Sequence, residues 1–209
     1  RLAGYYLPCL FAGAKIYYSS GLHRLLDDIQ EVRPTIITGV PRLLERMLAG
    51  IISKNRLRAL PLRMLLAASL RLSPRIKTFE RSQTRWIRAF GRGHRHWLRR
   101  VLAPVRRLLG DRLRFVVTGG ASLGKETAEF FYAAGVLVLE GYGLTEAAPI
   151  VSVNRPGAYV FGSVGRPLDN VRLRLSDDGE ILVKGPNVMM GYWGNAEGGG
   201  AILDDEGWL

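Results

Sequence analysis

Gly135-Val136-Leu137-Val138-Leu139-Glu140-Gly141-Tyr142-Gly143-Leu144-Thr145-Glu146 is the stretch whose reading decides the fold. Its first five residues form an apolar, partly β-branched run of strand length. The next seven are polar and glycine-rich, so residues 140 to 146 read as the place where a buried strand leaves a sheet. Ligands of α/β sheets sit at such strand ends. Gly141 and Gly143 would let the backbone turn sharply and approach a ligand. Tyr142 offers a flat face for a purine, Thr145 a hydroxyl, and Glu146 a hard anionic oxygen for a divalent cation. The same residues also read as a glycine-rich turn with a solvated glutamate, and G-x-G-x-x-E alone does not choose between the two.

Working outward, Arg112 to Val117 alternates Leu113, Phe115 and Val117 with arginines and reads as a strand ending in Thr118-Gly119-Gly120. A helix from Lys125 to Ala134 returns the chain to the strand at 135 to 139. Parallel strands of such a β-α-β unit place their exit loops on one edge, so Gly120 and Tyr142 are expected to be neighbours. Further upstream, Leu25 to Val32 is an amphipathic helix ended by Pro34, Thr35 to Val40 is a buried strand, and Pro41 opens a helix from Arg42 to Ile52. Residues 1 to 18 read as a helix, a turn at Gly13 and a short strand. Beyond Ala148 the texture changes to short strands and turns, with a hairpin of 171–175 and 180–184 joined at Asp177-Asp178-Gly179. The expected class is α/β, with parallel β-α-β layers over residues 1–150 and a small β-barrel or meander over 151–209.

Four further segments share an order with these elements. Thr118-Gly119-Gly120-Ala121-Ser122-Leu123 precedes the central heptad; Gly162-Ser163-Val164-Gly165-Arg166-Pro167, Gly179-Glu180-Ile181-Leu182-Val183-Lys184-Gly185 and Met190-Gly191-Tyr192-Trp193 follow it. With the heptad, these five ordered motifs resemble the adenylate-forming (AMP-binding) superfamily, whose signature is Y-G-x-T-E. The segment Pro34 to Arg42, with Glu45 after it, resembles the corresponding segment of long-chain fatty acyl-CoA synthetases. The Val40-Pro41-Arg42 step is also simply a good helix start.

The resemblance implies an ATP-dependent ligase that converts a fatty acid to acyl-AMP and then to a thioester of coenzyme A. It implies that Glu146 binds magnesium and that Thr145 hydrogen-bonds the α-phosphate. Tyr142 would stack on adenine, with Gly119, Gly120, Ala121, Glu140, Gly141 and Gly143 around the nucleotide. Val40, Thr118 and Gly119 become candidates for an acyl channel. Residues 194–206 read as a polar surface loop in which Gly198-Gly199-Gly200 departs from the family's pattern. The family's phosphate loop would precede residue 1, and its ribose-binding Asp and C-terminal lid would follow Leu209. The chain, which opens on Arg1 and stops at Gly207-Trp208-Leu209, therefore reads as an incomplete fragment, inactive by itself. A fatty acyl-AMP ligase acting with a carrier protein is the nearest alternative.

Charge and composition bound the remaining readings. The net charge is +12 over 209 residues, but residues 56 to 114 hold 17 Lys or Arg against Glu80 and Asp111, which leaves the rest of the chain slightly acidic. Apolar spacings of three and four over 56–110 read as amphipathic helices with arginine-rich faces. Such faces suit an anionic membrane surface, an anionic cofactor or nucleic acid, and equally an ordinary solvated surface. A basic nucleic-acid-binding module would leave the five motifs unexplained, so no nucleic acid is expected. The single Cys9 forms no disulfide within the chain, and no stretch reaches the roughly 20 apolar residues of a membrane span. These features suit a cytoplasmic protein, soluble or peripheral at the cytoplasmic membrane face.

Overall fold

The structure, a computed structural model, describes residues 6–54, 105–194 and 203–209. The helical reading of the basic segment and the Gly198-Gly199-Gly200 loop fall mainly or wholly outside those residues. The elements in chain order are α1 (Leu7–Phe11), α2 (Leu25–Val32), β1 (Ile36–Gly39), α3 (Pro41–Lys54), β2 (Phe115–Gly119), α4 (Lys125–Ala133), β3 (Leu137–Gly143), a 3-10 turn (Thr145–Ala147), β4 (Ile150–Val153), β5 (Arg166–Pro167), β6 (Arg172–Leu175) and β7 (Ile181–Lys184). A five-stranded sheet has the order β1-β2-β3-β4-β5, and β6 and β7 form a separate two-stranded sheet. The α/β class with a parallel-strand sheet is as expected.

The chain divides into two units, one of Tyr18–Val116 and Gly124–Val138, the other of Arg1–Tyr17, Val117–Leu123 and Leu139–Leu209. In the first, α3 packs on α2 and α4. Its Leu44, Met47 and Ile51 recur at spacings of three and four and are almost wholly buried. Phe130 and Phe131 of α4 meet edge to face at 5.5 Å between centroids. Arg33 closes α2 in the left-handed region, its N–H donating to Ile29 O, and Pro34 forbids continuation. Within α2, Asp28 accepts hydrogen bonds from Ser19 and Ser20 ahead of the helix, and the Ser19 hydroxyl contributes most to holding its carboxyl below the usual range.

In the second unit, β3 turns back on itself and pairs antiparallel with β4, Gly141 opposite Val153 and Tyr142 opposite Ser152. β5 adds to β4 in the same sense, and its Pro167 sits in a strand of two residues, where a missing N–H is tolerated. Ala147, Val151, Val171 and Val183 form the core here, with Tyr142, Leu144, Leu168 and Leu173 packed around it. The β6–β7 hairpin has the expected pairing, from Arg172 opposite Lys184 to Leu175 opposite Ile181, around Gly179 at φ 90°.

Four local expectations are corrected. The strand expected over 35–40 spans only Ile36–Gly39 and is not buried, since Ile36 and Thr38 are exposed and Ile37 is only partly buried. Residues 14 to 18 form no strand, because β propensity is context-dependent and does not by itself make one. β2 begins at Phe115 rather than Arg112, and it buries Val116 and Thr118 more deeply than Phe115 and Val117. Both faces of a parallel strand are covered, so alternation is a poor guide to which side faces inward. Most consequentially, β3 does not end at Leu139 but runs to Gly143, because Gly141 and Tyr142 pair with β4.

Gly143 fixes that reversal: a Cβ there would lie 1.7 Å from Pro149 O and 2.7 Å from its carbonyl carbon. Gly179, at φ 90°, has nothing within 4 Å of such a Cβ. Gly143→Ala should therefore cost about 3 kcal/mol or more of unfolding free energy in urea, against about 1 kcal/mol for Gly179→Ala, where backbone strain acts alone. Equal losses would show that the β3–β4 reversal yields readily.

Candidate active site

The heptad begins inside a strand and ends in a turn. Glu140 lies on β3 and is 6% exposed, its backbone O accepting from Asn154 N at 2.9 Å. Its side chain reaches the turn that follows β2, where Leu123 N–H donates to Oε2 at 3.4 Å. Burial pushes the Glu140 carboxyl above the usual range, against the backbone N–H groups of Leu123 and Gly162, which favour its charged form.

That turn lies against the heptad, as expected. A Cβ at Gly119 would stand 3.0 Å from Gly141 O, so the end of β2 and the middle of the heptad are in backbone contact. Gly120 is exposed at φ 83°, with open space where a side chain would be, and Ala121 is also exposed. Thr118 is 1% exposed and its hydroxyl has no hydrogen-bond partner among the described residues. Val40 belongs to the other unit, directly after β1, and is 49% exposed.

The expected sharp turns at Gly141 and Gly143 are absent, since neither has a positive φ. Their missing side chains make room for the chain itself: a Cβ at Gly141 would meet Ser152 O at 3.2 Å. Tyr142 is half-buried against the Ala147–Val151 core. The reversal comes later, through the 3-10 turn Thr145–Ala147 and Ala148 in the left-handed region at φ 46°. Thr145 is exposed at the start of that turn, and Glu146 is half-exposed beside it.

A third segment, 187 to 192, holds the turn. Asn187 Nδ2 donates to Ala147 O at 2.7 Å and to Ile150 O at 3.3 Å, and Met189 N donates to Glu146 O at 2.8 Å. The Tyr192 hydroxyl donates to Glu146 Oε1 at 2.7 Å and does most to hold that carboxyl below its usual range, while the carboxylate raises the Tyr192 phenol. Asn187 and Tyr192 had no assigned role in the sequence, although Tyr192 lies in one of the five motifs.

No group of three or more His, Cys, Asp or Glu able to hold a metal exists among the described residues. Magnesium is commonly held by one or two carboxylates together with substrate phosphates, and a half-exposed Glu146 beside an exposed Thr145 is a donor set of that kind. An ion relying on protein ligands alone would not fit.

Residues 3–193 match the family model described as AMP-binding enzyme. The chain belongs to that family. It is 30% identical over 201 residues to a long-chain-fatty-acid–CoA ligase of Mycobacterium bovis, an alignment covering 92% of this chain and 31% of that protein. It is 32% identical over 210 residues to long-chain-fatty-acid–CoA ligase 1 of Homo sapiens, covering 94% of this chain and 28% of that one. Its structure is similar to that of apo MatB from Rhodopseudomonas palustris, with a TM-score of 0.60 and 25% identity over 96% of this chain and 32% of the other. The chain thus spans about 30% of the length of the curated relatives it matches.

Glu140 gives this AMP-binding chain a pH signature. Its folded pKa is raised, so the associated stability is fully present below the unfolded value near 4.5 and is lost as pH rises through the folded value. The unfolding free energy of wild type minus that of Glu140→Gln should therefore increase as pH falls from 7 towards 4.5. A difference that is flat, or falls with acid, would remove burial as the dominant influence on this carboxyl.

Proposed function

We propose that this chain is the nucleotide-binding part of a long-chain fatty acid–CoA ligase. In the first half-reaction a fatty-acid carboxylate oxygen attacks the α-phosphorus of ATP, the bond to the bridging oxygen breaks, and pyrophosphate leaves. In the second the coenzyme A thiol loses its proton, its sulfur attacks the acyl carbonyl, and AMP leaves. Neither step needs a protein nucleophile, so the residues here act by positioning and by neutralising charge. The observation that carries the reading is that the turn after β2 meets the heptad, with Gly119 against Gly141 O, while Thr145 and Glu146 project from the reversal that follows.

Each residue then has a task. The exposed Gly120–Ala121 turn and the backbone of Glu140 and Gly141 border the adenine, and the free part of the Tyr142 ring stacks on it. The Thr145 hydroxyl donates to an α-phosphate oxygen, and Glu146 would hold magnesium, which would supply charge neutralisation at the phosphates. The acyl chain lies near Thr118 and Gly119. The preference for a long aliphatic acid rests on the relatives, which are named for that substrate class.

ATP–pyrophosphate exchange by the intact protein tests both levels of the proposal. Palmitate should support exchange and malonate should not, and Glu146→Gln should lower the palmitate-dependent rate about 100-fold or more without unfolding the protein. Exchange with malonate alone would transfer the chain to another acid, and a near wild-type rate in Glu146→Gln would remove that residue from the metal.

The basic segment suits the same enzyme at an anionic cytoplasmic membrane face, where a fatty acid partitions, since each well-placed basic residue contributes about 1 kcal/mol there. Replacing Arg85, Arg88, Arg92 and Arg95 by Glu should weaken sedimentation with phosphatidylserine vesicles at low salt. Unchanged sedimentation would make the segment an ordinary solvated surface.

A further inference from the structure

We infer that Tyr192 is the positioning residue for the Glu146 carboxylate, orienting it so that one oxygen is presented to the metal–nucleotide complex. The inference rests on Glu146 being the metal ligand of the proposed function. Glu146 is tied at both ends by one short segment: Met189 N holds its backbone carbonyl at 2.8 Å, and the Tyr192 hydroxyl holds Oε1 at 2.7 Å. Asn187, two residues earlier, pins the rest of the same turn through Ala147 O and Ile150 O.

Packing does not explain where Tyr192 stands. It is 46% exposed, and its neighbours Met190 and Trp193 are fully exposed. Gly191 before it adopts φ 141°, a conformation L side chains rarely take, so the chain bends there into a shape that suits glycine. An exposed phenol reached through such a bend and directed at a carboxylate 46 residues away is better explained by that carboxylate than by the core.

The chemistry of the contact fits the role. The phenol is a neutral donor, so it fixes Oε1 without cancelling the negative charge that a cation would meet. No carboxylate trio among the described residues could compensate for a misplaced one. Where a single flexible glutamate must meet an ion carried by the nucleotide, a fixed rotamer matters more than it would in a cage of several ligands. Partners that orient metal ligands in this way typically change affinity tenfold or more when removed.

The test is an equilibrium titration of manganese by electron paramagnetic resonance, using the intact protein with α,β-methylene-ATP, whose α–β bridge cannot be cleaved to transfer AMP, so no turnover intervenes. Tyr192→Phe removes the hydroxyl alone, from an exposed site, and should leave the thermal midpoint unchanged while weakening manganese binding about tenfold. Glu146→Gln should weaken binding at least as much, and the double variant should bind no worse than Glu146→Gln. Wild-type or tighter binding by Tyr192→Phe overturns the positioning role, since the hydroxyl would then be idle or competing with the metal. A full further loss when Tyr192→Phe is added to Glu146→Gln also overturns it, because Tyr192 would be acting elsewhere. Wild-type binding by Glu146→Gln instead overturns the assignment of the metal ligand, and the inference with it.

Discussion

The candidate site depends on a reversal of chain direction between Gly143 and Ile150. β3 cannot simply leave the sheet, because Gly141 and Tyr142 are paired with β4. The chain must turn over within six residues and return alongside itself. That is possible because Gly143 lets Pro149 O approach within a distance no side chain would allow, and because Ala148 takes a left-handed conformation. The 3-10 turn is what fits in the space left, and Thr145 and Glu146 are its first two residues. Their projection from the sheet therefore follows from backbone sterics.

Two glutamates six residues apart are driven in opposite directions by this arrangement. Glu140 lies inside, where loss of water raises its pKa even though Leu123 and Gly162 offer N–H groups. Such a carboxylate serves as a tie between β3 and the turn after β2. Glu146 lies outside and keeps its charge, assisted by the Tyr192 hydroxyl. A metal-bound carboxylate must be ionised at neutral pH, and a structural one can tolerate a proton. The environments separate the roles, although the residue type is the same.

Much of this was legible in the sequence where the signal was local. α2 was read with its observed limits, and the β6–β7 hairpin around Asp177-Asp178-Gly179 was read with its turn. What failed depended on distant pairing. Glu140 and Gly141 are poor strand formers, and only β4, about ten residues later, makes them strand. Ile16-Tyr17-Tyr18 has the opposite property, strong β propensity in a stretch that is not strand. The clamp on Glu146 was invisible for the same reason: Met190-Gly191-Tyr192-Trp193 was recognisable as a motif, but nothing local says that its tyrosine returns to a residue 46 positions earlier.

The glycines of the two central motifs divide into two physical kinds, and the division indicates where a ligand can come close. Gly119, Gly141 and Gly143 each face the chain's own backbone, at Gly141 O, Ser152 O and Pro149 O respectively. They are small because strands and turns crowd them, so the room a side chain would have occupied is already filled by protein. Gly120 differs: its φ of 83° demands glycine, yet nothing lies within 4 Å of where a Cβ would be. Space for a close approach to the backbone exists there and not at the heptad glycines, whose flexibility first suggested a ligand. In the proposed function the heptad instead contributes the backbone around Glu140, the open part of the Tyr142 ring and, beyond the reversal, Thr145 and Glu146. One residue type thus serves in adjoining motifs first to let the chain pack on itself and then to leave a gap, and only the second kind marks a surface open to a ligand.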